Sequence, residues 1–413
     1  MKKPAFTAFF TVFMILLLAL LSGCSGTMLS GGENLDYYKA KISKEIIEGN
    51  SKFAFNIFRE LGREDDKEKN IIISPLSIST ALTMTYQGAG TTTKEAMAYT
   101  LGFTGIEDEE LNESYQNLIR YLQRFDHKVE LNIGNSLWIR EGKEIKEEFL
   151  TVNKEIFDAL VTPLDFSKET AADEINQWIS DATKKKINKM IEAPIPSNIV
   201  MYLINAIYFK GDWTNQFDKE QTYPAQFQAG NGSIREVMMM SKNGKVEYGQ
   251  GDEFKAVRLP YGSGKAAMYC ILPPESVSIN DFIEKLDEER WYKIKESISE
   301  KDDVQLRLPR FKMEYGIKNL NDSLTSLGMG EAFSATADFS GIQEGVCISR
   351  VLHKAVIEVD EEGSEAAAAT VVEIKESAAL EPLTFIADRP FVFIIADDET
   401  ETILFMGKMY DVK

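Results

Sequence analysis

Glu361-Glu362-Gly363-Ser364-Glu365-Ala366-Ala367-Ala368-Ala369-Thr370-Val371-Val372-Glu373-Ile374-Lys375 is the stretch on which the reading of this 413-residue chain turns. It opens a segment, residues 361–390, that is too long for a quiet connection. Loops beyond about 15 residues in compact domains are usually functional or disordered. Taken with period two, positions 364, 366, 368, 370, 372 and 374 are Ser, Ala, Ala, Thr, Val and Ile, without a charge. The alternate set holds Glu365, Glu373 and Lys375. That is the pattern of a strand with one buried and one solvated face. Local propensity points the other way, because an alanine run behind a Ser364 cap is a good helix former. A segment patterned as a strand, yet small enough to move, has the character of a latent, insertable strand.

The flanks supply a sheet for it to join. Strand patterns run over 200–209, 256–259, 266–272, 304–311 and 351–359 before it, and over 391–395 and 403–406 after it. Further upstream helical periodicity dominates, at 36–63 and again at 171–191, with a short strand at 71–75 stopped by Pro75. A helix capped near Ser77 runs from there to Gln87, and 131–139 is strand-like. Helices first and strands later, without regular alternation, predict an α+β fold with antiparallel or mixed sheets. Apolar residues make up 44% and charged residues 27%, which is ordinary globular usage.

Charge and motif content exclude several function classes. Asp and Glu outnumber Lys and Arg by 65 to 46, a formal charge of −19. So acidic a surface argues against nucleic acid and heparin-type polysaccharide as partners. Lys184, Lys185 and Lys186 read better as a solvated helix face than as an anion site. His127 and His353 are the only histidines, and no H-E-x-x-H, C-x-x-C or G-x-S-x-G spacing occurs. Gly249-Gln250-Gly251 and Gly262-Ser263-Gly264-Lys265 read as turns between strands. No metal, cofactor or catalytic residue is expected, although the many carboxylates leave a hydrolase as a third reading. Cys270 and Cys347 lie in apolar, strand-like runs and are expected as buried free thiols, with a disulfide between them left open.

Residues 1–23 read as a targeting segment: Lys2 and Lys3, an apolar run from Phe9 to Leu21, then Leu21-Ser22-Gly23-Cys24. Small residues before a cysteine resemble the lipobox of prokaryotic lipoproteins. That resemblance implies lipidation of Cys24, a tether over 24–34 and a body at 35–413 held on the outer face of a membrane. An uncleaved signal anchor is the alternative.

From residue 35 onward the chain resembles the serpin family. The motifs that carry the resemblance are Ile73-Ser74-Pro75-Leu76-Ser77-Ile78, Asn135-Ser136-Leu137-Trp138, Asn205-Ala206-Ile207-Tyr208-Phe209-Lys210-Gly211-Asp212-Trp213, His353-Lys354-Ala355, Arg389-Pro390-Phe391 and Leu404-Phe405-Met406-Gly407. The resemblance implies a monomeric serpin fold: three β-sheets surrounded by helices, with residues 361–390 as an exposed, insertable reactive-centre loop. It implies inhibition by trapping, in which a protease cuts the loop, becomes esterified to it, and is carried off as the loop enters the main sheet. The hinge would be Glu361, Gly363, Ser364, Ala366, Ala367, Ala368, Ala369 and Thr370. A shutter would comprise Ser74, Ser77, Asn205 and His353. At the breach, where insertion starts, Trp213 is expected, and Glu361 is expected to pair with Arg310. The family's spacing from Glu361 puts the scissile bond at Ser377-Ala378, while counting back from Pro390 gives Ala379-Leu380. Small residues there suit an elastase- or subtilisin-like target, and Leu380 a chymotrypsin-like one. The alternative is a non-inhibitory binding or chaperone protein of the same fold.

Overall fold

The computed structural model describes residues 35–63, 67–363 and 382–412. The expected first helix is two, α1 (Leu35–Lys39) and α2 (Lys44–Arg63). Ser43 starts the second, because its carbonyl accepts the Ile47 N–H while its own N–H turns aside to the Ser114 hydroxyl. On α2, Ile46, Phe53, Ile57, Phe58 and Leu61 are fully buried. Each stabilises the fold by about 1.5–3 kcal/mol of transfer free energy, and together they fix the helix to the core.

After β1 (Ile71–Ile73), α3 spans Pro75–Tyr86 and is capped at Ser74 rather than near Ser77. Pro75 suits the first helical position, where its missing N–H would have had no partner. Helices α4 (Thr91–Leu101), α5 (Asp108–Leu122) and α6 (Glu147–Phe157) follow. The next, α7, covers Ala171–Ala182 and stops well short of residue 191. Lys184 and Lys185 take positive φ (49° and 65°), and Thr183 Oγ1 accepts the Ile187 N–H, which folds the chain into a turn. The three lysines are therefore not a helix face. Lys184 pairs with Glu130 and Lys186 with Glu358.

Three sheets form. The largest has the order β1-β14-β13-β8-β7-β6-β9-β12, with β5 also on β6. Its members are β5 (Tyr223–Gln228), β6 (Ile234–Gly251), β7 (Phe254–Tyr261), β8 (Ala266–Leu272), β9 (Ser299–Pro309), β12 (Leu383–Ile386), β13 (Phe391–Asp397) and β14 (Thr402–Met409). Gly249 and Gly251 are the end of β6 rather than a turn. At Gly244, with φ 116°, the β6–β9 register slips and the long strand bends, a conformation that glycine adopts without penalty. β13 and β14 are buried at every position.

The second sheet is β3 (Leu160–Leu164), β2 (Val129–Arg140) and β4 (Met201–Gly211), and the third pairs β10 (Phe311–Asn319) with β11 (Leu352–Val359). The single strand expected over 304–311 is thus two strands, β9 and β10. They part at Arg310, whose N–H makes the last bond to β6, at the Met238 carbonyl, before the chain pairs with β11 from Phe311 onward. Two further expectations change. Within 361–390, residues 383–386 are a strand parallel to β9, with Phe385 and Ala387 fully buried, so this part of the expected exposed loop is not loop. Cys270 is buried as expected, whereas Cys347 is exposed and outside any strand; both thiols are free.

Candidate functional site

β4 and β11 each have a ladder on one side only among the described residues. They run side by side in the same direction. Their starts share the walls of one cavity, and their ends meet where Gly363 bridges Asp212. Between them lies a slot whose two edges carry backbone groups of the kind that accept another strand. Helix α7 spans it. Ile175 and Ile179 pack in one cluster with Trp138 and Ile204 of the three-stranded sheet and with Leu352 and Val356 of β11.

At the lower end, Ser74 is a junction of three elements. Its N–H donates to His353 Nε2 (3.1 Å), its hydroxyl donates to the Leu404 carbonyl (2.7 Å), and the same oxygen accepts the Ser77 N–H (3.2 Å). Ser74 is fully buried and His353 nearly so. Burial lowers the imidazole pKa to about 4, which keeps it neutral. Asn205 stands apart from these bonds. Its amide donates to Asn135 Oδ1 (2.7 Å), although it lines the same cavity as Ser77 and His353. Of the four expected shutter residues, three are joined by hydrogen bonds and Asn205 is only a neighbour.

The upper end is built differently. Asp360 Oδ1 accepts the N–H groups of Glu362 (3.0 Å) and Gly363 (3.2 Å), turning the chain sharply at the end of β11. Trp213, 4% exposed and stacked on Tyr261 at 4.4 Å, donates its indole N–H to the Asp360 carbonyl (2.9 Å) and its backbone N–H to that of Glu362 (2.8 Å). Gly363 takes φ 140°, and a Cβ there would lie 2.3 Å from the Gly211 carbonyl oxygen. The close approach to β4 therefore requires glycine. Glu361 is buried. It accepts the Thr222 hydroxyl (2.7 Å) and faces Arg310 at 3.7 Å, while Glu362 pairs with Lys219. Burial raises the carboxyl pKa values of Asp360 and Asp212 above their ordinary range.

Asp360, Glu362, Lys219 and Asn135 complete these two clusters and were not among the residues expected from sequence. An acidic triplet closing a strand just before a glycine was the available signal. Ser364 to Thr370, the bonds at Ser377-Ala378 and Ala379-Leu380, and Cys24 lie outside the described residues.

A slot between two strands, with a buried turn folded against its upper end, is the feature that sets this fold apart. The model of the family described as serpin (serine protease inhibitor) matches residues 48–412. Leukocyte elastase inhibitor A of Rattus norvegicus is 33% identical over 89% of this chain and 99% of its own. Among solved structures, the thermophilic serpin tengpin in its native state superposes with a TM-score of 0.80 at 31% identity, covering 90% of this chain and 95% of its own. Human thyroxine-binding globulin gives the same TM-score and identity over 89% and 98%. The chain belongs to the serpin family, described by the name serine protease inhibitor.

Proposed function

We propose that this serpin is a suicide inhibitor of serine proteases, with cysteine proteases as an extension, held on the outer face of a membrane through Cys24. One observation carries the inhibitory reading: the slot between β4 and β11 starts where the chain leaves β11, with Gly363 already bridged to Asp212. A chain continuing from Gly363 needs only to extend to enter it. The protease nucleophile attacks the carbonyl of Ser377, and the Ser377–Ala378 bond breaks. The amine of Ala378 leaves with a proton supplied by the protease, and an ester joins Ser377 to the enzyme. Entry of residues 364–377 into the slot then competes with hydrolysis of that ester. Ser364, Ala366, Ala368 and Thr370 suit rapid entry, since none brings a charge or much bulk to desolvate.

The test is incubation with elastase-, subtilisin- and chymotrypsin-like proteases. An SDS-stable complex is expected, with a C-terminal peptide whose mass reports the bond cut, and Ser364→Arg should shift the outcome to simple cleavage. Cleavage without complex across the panel overturns the reading. The second reading, a binding protein without inhibition, takes its support from the thyroxine-binding globulin likeness. It requires that cutting the loop leave the melting temperature unchanged, whereas insertion raises it.

A further inference from the structure

The cavity at the lower end of the slot has properties that strand entry does not explain. Its volume is about 400 Å³, within the range of roughly 300–1,000 Å³ usual for small-molecule sites. Leu82, Ile191, Leu203 and Phe339 contribute apolar walls. Two polar groups on the lining lack partners among the described residues. His353 Nε2 accepts the Ser74 N–H, so in the neutral ring the proton sits on Nδ1, and that N–H has no acceptor among the described residues. Asn205 donates its amide to Asn135, and its Oδ1 is buried without a donor. Arg350, the charged side chain on the lining, is exposed and engaged with Tyr202.

We propose that this cavity binds a small uncharged amphiphile whose apolar chain lies against the aliphatic and aromatic walls, and whose head accepts from His353 and donates to Asn205. A primary carboxamide supplies both functions. The consequence for inhibition rests on the function proposed above: an occupied cavity blocks the lower part of the slot and turns the inhibitor into a substrate.

Cys347, exposed on the same lining, is a built-in reporter, while buried Cys270 stays silent. The experiment follows the rate at which iodoacetamide alkylates Cys347 in the full chain, read by peptide mass, with octanamide as the probe. No protease enters this measurement, so its failure is distinct from failure of the inhibitory reading. Saturable slowing of at least fivefold is expected. N,N-dimethyloctanamide, which keeps the acceptor and loses the donor, should bind roughly tenfold more weakly. Ala81→Leu, which fills part of the cavity, should abolish the slowing; should that variant fail to fold, the ligand pair decides. No slowing up to the solubility limit overturns the proposal. So does equal slowing in a folded Ala81→Leu protein, equal binding of the dimethyl compound, or tighter binding of octanoate, which would make Arg350 and an anion the basis of recognition.

Discussion

The two ends of the slot are built on opposite chemistry. At the lower end Ser74, Ser77 and His353 are joined by neutral hydrogen bonds, and burial keeps the imidazole uncharged. At the upper end Asp212, Asp360, Glu361 and Glu362 crowd around one turn, offset by Lys219 and the half-exposed Arg310. The first arrangement is indifferent to salt and weakened as pH falls; the second depends on ionic strength and is weakened as pH rises and its buried carboxyl groups ionise.

The heaviest blow to the upper end should be Trp213→Ala. It removes a buried ring stacked on Tyr261 and the donor to Asp360, at a cost of about 3–5 kcal/mol in urea unfolding. A loss below about 1 kcal/mol would show that the acidic turn holds without it. Next in size is the pH response of the lower end. The His353 pKa is about 4 in the fold against about 6.5 unfolded, so the unfolded chain takes up the proton first. Its contribution is therefore full above pH 6.5 and lost as pH falls towards 4, on the order of 2–4 kcal/mol. His353→Gln keeps an acceptor for the Ser74 N–H, and the difference between this variant and its parent should show that slope; a parallel pair of curves refutes it.

Asp360→Asn sharpens the contrast with the opposite sign. The raised pKa of Asp360 means its favourable contribution exists below the unfolded value and is lost as pH rises through the folded one. Asparagine keeps the acceptor for Glu362 and Gly363, so the variant should be slightly more stable than its parent at neutral pH and no more stable in acid. The smallest effect belongs to Arg310→Ala, at most about 1 kcal/mol at low salt and vanishing in 0.5 M NaCl. A salt-independent loss would place Arg310 in packing rather than in charge balance.

How legible all this is in the sequence differs between the two ends. Trp213, Glu361 and Arg310 become neighbours only through folding, and motif resemblance, not periodicity, is what brings them together on paper. Asp360 and Glu362 escaped because carboxylates at a strand end normally face water; here the N–H groups of Glu362 and Gly363 hold the first and Lys219 holds the second. Cys347 misled for the reverse reason. Val346 to Val351 has a strand's composition, but the chain there lines a cavity without joining a ladder. The split of 304–311 into β9 and β10 is a change of partner at Arg310, from β6 to β11, which no composition reveals.

The burial of β13 and β14 fixes the fate of a cut molecule. Everything beyond residue 382 includes the parallel strand β12 and two strands without an exposed position, so the short piece made by cutting at Ser377 stays threaded through the interior. Nicked protein would sediment and elute as a single particle, and only a denaturant would separate the halves. On the mechanism proposed above, the acyl bond to an attacking enzyme would sit on the longer half, and cargo and severed tail would travel together.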